Sequence, residues 1–339
     1  MTTTDAVGSR APQAPWLRAL RPYGRADARK AVTQMANTLL PYIALWAVMI
    51  ATVQAGLPYV VTLLVAIVAA GFLVRIFIFF HDCCHGSFLP SRRANRIFGY
   101  LTGILTFTPF EQWRYSHATH HATAANLDRR GTGDVWTMTV EEYRTAPWSK
   151  RVAYRVFRHP LVMFGLGPLL SFVISQRFAP KEANRRARYS VAFTNVSLLL
   201  ILVLGWATIG LRAYLMIQLP VILVAAMMGI WLFYIQHQYP EVYWARDEAW
   251  DPVRAAMEGS SYYRLPRWLQ WISGNIGLHH IHHLRPTIPN YNLQACYDAV
   301  PEVQTVKPLT LSASLQCLGL ALYDEDHRRL VRFRDVRTD

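Results

Sequence analysis

The sequence predicts an all-α integral membrane protein, with two transmembrane helical hairpins, four spans in all, beneath a cytoplasmic helical cap that holds a histidine-rich metal site. Three observations predict it. Long apolar runs come in pairs, Lys and Arg collect on one side of those pairs, and histidines cluster at helical spacing just outside them.

Residues 1–36 are basic and lack an apolar core, so an irregular surface-bound arm without a cleaved signal is expected. Residues 37–295 hold the membrane and catalytic domain, and 296–339 a cytoplasmic C-terminal tail. Leu39 to Val53 and Pro58 to Phe80 are apolar and uncharged except for Arg75, with Gln54-Ala55-Gly56-Leu57 between them. Val191 to Gly210 and Tyr214 to Gln236 repeat the pattern around Leu211-Arg212-Ala213. A span needs about 20 apolar residues, and the first run reaches that length by including Asn37 and Thr38. Each pair is a hairpin that returns the chain to the side it left. Arg75 is expected to snorkel toward headgroups. Residues 97–110 and Leu161 to Ile174 are apolar but too short to span, and are expected to lie in the interface; a fifth span at Leu161–Ile174 would put the last histidine cluster on the wrong side. Asp128 to Lys150 is a polar excursion with turns at Gly131 and Gly133.

Arg18, Arg21, Arg25, Arg29 and Lys30 precede the first span, and Lys181, Arg185, Arg186 and Arg188 the third, whereas the far turns carry Arg212 alone. The positive-inside rule then puts both termini and all the clusters in the cytoplasm, which is the inner-membrane arrangement if the chain is bacterial. The formal charge of +14 fits contact with anionic headgroups. No basic block interleaved with aromatics suggests nucleic acid. Four scattered Cys, two of them the adjacent Cys83 and Cys84, read as reduced thiols.

The clusters are His81-x-x-x-His85, His117-x-x-His120-His121 and His279-x-x-His282-His283. Positions i, i+3 and i+4 share one helix face, so each cluster should aim its imidazoles at a single point. With 12 His in 339 residues, one His-x-x-His-His arises by chance in roughly one chain of seventy. Eight imidazoles exceed the capacity of one metal, which points to two. Zinc would need fewer ligands, and no His-Glu-x-x-His supplies a hydrolytic base. Haem would use histidines across paired spans within the bilayer. Two irons beside a bilayer suggest oxygen activation on a lipid-soluble substrate. His159 and His327 stand alone and read as ordinary hydrogen-bonded core residues. Asp82 and Asp134 are candidate acceptors for imidazole N–H groups. The aromatic-rich region around Phe107, Phe110 and Trp113 is the candidate lining of a tunnel for that lipid-soluble substrate.

The chain resembles the membrane-bound fatty-acid desaturases, specifically the acyl-lipid omega-6 (delta-12)-like group. The residues that carry the resemblance are His81-Asp82-Cys83-Cys84-His85, Trp113 through His121, and Asn275 through His283. Asn126 through Trp136 and Gln236-His237 look similar too, so it covers about residues 35–295. It implies two iron ions held by His81, His85, His117, His120, His121, His279, His282 and His283, with His237 as a further ligand after the last span. It also implies O2 as co-substrate and an acyl-lipid substrate in the membrane that gains a cis double bond. His280 lies outside the third pattern and is expected behind the ligands or at the surface.

No His-Pro-Gly-Gly haem signature is present, so the resemblance implies a separate electron donor such as ferredoxin or a cytochrome. Family members often have Gly where this chain has Cys84. A hydroxylase or ketolase on the same iron centre is the alternative, because the histidines alone do not separate loss of a second hydrogen from oxygen insertion. A histidine-rich metal transporter would place polar ligands inside the spans, which are nearly free of ionisable groups.

Overall fold

The computed structural model describes residues 14–336, and residues 1–13 and 337–339 lie outside the described range. The N-terminal segment is not irregular where it is described. Pro15–Gly24 forms a 3-10 helix whose Trp16, Leu17 and Leu20 pack against Leu278 and Ile281. Helix α1 (Ala28–Gln54) starts before the apolar run because the Asp27 side chain caps it, accepting from Arg29 N at 2.8 Å and Lys30 N at 3.1 Å.

Among the described residues, four helices are long and apolar enough to cross a membrane: α1, α2 (Tyr59–His85), α7 (Arg185–Ile209) and α8 (Leu211–His237). Their outer faces expose large apolar side chains, such as Leu40 and Ile43 on α1 and Leu199, Leu200 and Leu204 on α7. A surface of that kind suits lipid and not water. α2 is the most buried of the four and packs on both α1 and α8 through Ala66, Ala69, Ala70, Leu73, Ile217 and Val221. Gly210, at φ 84°, makes the α7–α8 turn in a conformation that other residues rarely adopt.

Between the hairpins, α3 (Arg92–Leu105) and α4 (Phe110–Thr123) lie across the open end of the bundle. Short helices α5 (Val140–Thr145) and α6 (Trp148–Arg158) follow. Leu161–Leu166 and Leu169–Ile174 are wound as π-helix, and the path bends by 65° after α6. Arg158, just before this segment, donates to Gln238 Oε1 at 2.9 Å, beside the end of α8. Gln112 of α4 donates from its Nε2 to Phe178 O at 3.4 Å and from its backbone N to Ser190 Oγ at 3.3 Å, so both the end of the segment and the start of α7 lie beside α4. Between its ends the segment packs on α2, where Phe172 meets Phe77.

The cap adds α9 (Pro252–Met257), α10 (Arg267–Ile272), α11 (His279–Leu284), α12 (Asn290–Ala299) and α13 (Leu311–Gln316). It also holds short strands that the all-helical expectation leaves out. β1 (Met138–Thr139) pairs in parallel with β4 (Leu320–Asp324), which pairs antiparallel with β5 (Arg329–Arg332). β2 (Tyr262–Arg264) pairs in parallel with β3 (Pro308–Thr310).

Arg75 does not snorkel. It is 2% exposed, donates from Nε to Thr38 Oγ1 at 3.0 Å and from NH1 to the Trp271 carbonyl, and lies 4.0 Å over the Trp271 ring. The reason is geometric: α10 covers α2 at this level, so a local partner replaces the headgroup. The clamp ties the cap to α1 and α2 just ahead of the third histidine cluster.

Candidate metal centre

All nine predicted histidines come together at the C-terminal ends of α2 and α8, although the clusters do not each aim at one point. His81, His85, His117, His121 and His282 form one group and His120, His237, His279 and His283 another; within each, one ring nitrogen per residue lies within 4.8 Å of the rest. Each i, i+4 pair keeps to one group, and the residue at i+3 reaches the other. On α4, His117 and His121 meet at 3.1 Å between Nε2 atoms while His120 turns toward His237, 3.2 Å away. On α11, His279 and His283 meet at 3.1 Å while His282 crosses to His121 at 3.0 Å. The i+3 position is displaced by about 60° from i in one sense and i+4 by about 40° in the other, enough to split a cluster between two neighbouring points. The groups abut where the His121 and His283 rings stack at 4.2 Å.

These contacts fit cations better than hydrogen bonds. His121 Nε2 and His279 Nε2 each face two other Nε2 atoms, at 3.1 and 3.0 Å and at 3.0 and 3.1 Å respectively. A neutral imidazole nitrogen offers one proton or one lone pair, so it cannot satisfy both neighbours. Metal–nitrogen bonds of about 2.1 Å place neighbouring ligands about 3.0 Å apart on an octahedron and about 3.4 Å apart on a tetrahedron. The Nδ1 atoms of His121, His279 and His282 and the Nε2 of His85 are buried without a hydrogen-bond partner. Burial, reinforced by neighbouring imidazoles, also holds His117, His121, His279, His282 and His283 well below the usual histidine range, so they are neutral donors at physiological pH.

Three rings are fixed from behind. His81 Nδ1 lies 3.1 Å from Asp82 Oδ1, and Asp82 Oδ2 accepts from Asn290 N and Nδ2 at 2.7 and 2.9 Å. Asn290 Oδ1 accepts from Gln34 Nε2 at 3.0 Å, which extends the network to α1. His120 Nδ1 lies 2.7 Å from Asp134 Oδ1, whose partner oxygen accepts from Gly131 N at 3.2 Å. Gly133, at φ 76°, allows that loop to approach, since a Cβ there would stand 3.0 Å from the His120 Cβ. His237 Nδ1 lies 3.1 Å from the Gly259 carbonyl.

Both expected aspartates are therefore in place. Asn290 and the Gly259 carbonyl escape sequence reading: one is a polar residue just after Pro289, the other a backbone atom with no side-chain signal. His280 is buried outside both groups, with Nε2 3.0 Å from the Val303 carbonyl, and burial pushes its pKa down to about 4. His159 and His327 are not core residues: both are exposed, His159 just after α6 beside Pro160 and His327 in the β4–β5 turn, where it lies 2.9 Å from Asp324. Cys84 is half-buried against the aromatic cluster of Phe79, Phe80 and Phe110, and all four Cys are free.

A cavity of about 260 Å³ leads from His81, His117 and His279 between α2 and α8, flanked by Ser171 and Phe172 of the dipping segment. Trp113 lines it and stacks on His117 at 4.2 Å. Phe107 and Phe110 do not line it. Phe110 packs against Phe80 and Tyr100, and Phe107 backs the core that α1, α2 and α8 share.

A family model described as fatty acid desaturase matches residues 55–310. A fatty acid desaturase of Bacillus subtilis (strain 168) is 43% identical over 315 residues, 93% of this chain and 89% of that protein. An sn-1 oleoyl-lipid 12-desaturase of Synechocystis is 27% identical over 242 residues, 68% of this chain and 65% of that protein. An sn-1 acyl-lipid omega-3 desaturase (ferredoxin) of Nostoc is 29% identical over 240 residues, 67% of this chain and 64% of that protein.

Proposed function

This chain belongs to the fatty acid desaturase family, and from that membership we propose that it places a cis double bond toward the methyl end of an acyl chain carried on a membrane lipid, in the delta-12 manner. The observation that carries the proposal is nine histidines meeting in groups of five and four at the mouth of an apolar cavity. The proposed ligands are His81, His85, His117, His121 and His282 for one iron, and His120, His237, His279 and His283 for the other. Bound iron supplies the redox chemistry and oxygen activation that zinc lacks.

The protein's own part is positioning. Trp113 and Phe77 present apolar faces to the chain beside His81 and His117, while Asp82, Asp134 and the Gly259 carbonyl hold three imidazoles in orientation. The acyl chain loses one hydrogen from each of two neighbouring methylenes, and O2 leaves as two waters with two electrons and two protons from outside. A separate donor, such as ferredoxin or a cytochrome, supplies the electrons; the ferredoxin in the name of the Nostoc relative supports that choice. Orientation follows the same logic. Lys181, Arg185, Arg186 and Arg188 sit near the start of α7, beside the histidine end, and Arg212 is alone at the far turn, which supports a cytoplasmic centre and termini.

The test is the fatty-acid profile, with double-bond location, of a host expressing this chain beside one expressing His120→Ala. A new unsaturated acid absent from the variant is expected. Hydroxylated products, or unchanged lipids from protein that binds no iron, would overturn the proposal.

A further inference from the structure

Gly229 of α8 lines the cavity eight residues before His237, which is about 12 Å deeper along the helix axis. Deeper still, Ala226, Ala225 and Ile222 of the same helix line it. Leu73, Ile222 and Ala225 join a packed core with Ala66, Ala69 and Ala70, all of them buried.

Glycine is a poor helix former, so its presence in the middle of a span needs a reason. At three other helical positions it makes room for a neighbour. A Cβ at Gly99 would lie 2.2 Å from the Phe110 ring, one at Gly103 2.6 Å from the Thr108 carbonyl, and one at Gly205 2.4 Å from the Tyr214 ring. A Cβ at Gly229 meets nothing within 4 Å. What Gly229 preserves is empty cavity, not a close approach.

The deep end is lined by Leu73, Ile222, Ala225 and Ala226, so a headgroup placed there would lose its hydrogen bonds, whereas a methyl terminus loses nothing. We propose that Gly229 is a specificity-determining residue: its missing side chain sets how many methylenes fit between the carbon attacked beside the histidines and the methyl end. This rests on the cavity being the acyl site, as in the function proposed above. A leucine at this position would fill the passage at that depth and leave room for fewer carbons.

The experiment expresses wild type, Gly229→Ala, Gly229→Leu and Ala226→Gly in one host, then measures chain length, double-bond position and iron content. Gly229→Leu should raise the ratio of products with a shorter methyl-side segment by at least about tenfold, the discrimination one or two methylenes provide in an apolar pocket. Gly229→Ala should shift the ratio the same way by less, and Ala226→Gly, which deepens the cavity, the opposite way. If Gly229→Leu loses iron or fails to accumulate, the two smaller changes decide. Wild-type ratios in every iron-loaded variant would overturn the inference. Alcohols in place of alkenes from the wild type would sink the desaturase reading alone, since the position of the hydroxyl should still move with Gly229.

Discussion

The two histidine groups differ in how they are built. The five-membered group takes four members from two helices, His81 and His85 from α2 and His117 and His121 from α4, with His282 added from α11. The four-membered group takes His120 from α4, His237 from α8, and His279 and His283 from α11. One is largely fixed once α2 and α4 pack together; the other waits for the last span and the cap. The comparison teaches that helix periodicity creates the i, i+4 pairs, whereas tertiary assembly decides which group each remaining histidine joins.

Removing a ligand should hurt the smaller group more. His237→Ala leaves three imidazoles there, and iron content is expected to fall from about two to about one per chain, with activity down by roughly 1,000-fold. Elemental analysis beside an activity assay checks this, and full iron retention would break the contrast.

Acid should act next. His117, His121, His279, His282 and His283 have pKa values lowered below the ordinary 6.5, so their neutral forms stabilise the fold fully above pH 6.5. That contribution is lost as pH falls below 6.5, where the unfolded chain binds protons that the folded one resists. Iron release and a falling Tm should begin in that window, from the four-membered group first. A pH titration with spectroscopic readout of the two sites follows the order.

The carboxylates behind the rings sharpen the comparison. Asp134→Asn and Asp82→Asn should each weaken metal binding or activity by about 10- to 100-fold. Asp82→Asn should also lower Tm more, because Asp82 alone holds both Asn290 donors. Isothermal metal titration and thermal melts separate the two effects. His85→Ala should be milder than His237→Ala: four imidazoles remain, and iron is retained at saturating metal with about tenfold weaker affinity. Smallest of all, His280→Asn should leave iron content unchanged and cost about 1 kcal/mol of stability through the lost contact with the Val303 carbonyl.

Much of this was legible in the sequence because hydropathy and helical spacing are local signals. The four spans, the nine histidines, Asp82 and Asp134 all follow from residues close together in the chain or from the family resemblance. What was not legible depends on distant packing. The division of each His-x-x-His-His between two groups needs the relative rotation of α4 and α11. The burial of Arg75 needs α10 to fold back over α2, and the roles of Asn290 and the Gly259 carbonyl need the cap in place. The short strands escape for the same reason, since their partners, such as Met138 and Leu322, are remote in sequence.

The most direct test of the two-group account is the metal count of detergent-purified protein, wild type beside His237→Ala. The account predicts about two irons per wild-type chain and about one in the variant, with the remaining iron in the five-histidine group. One iron in both proteins, or zinc in place of iron, would contradict it.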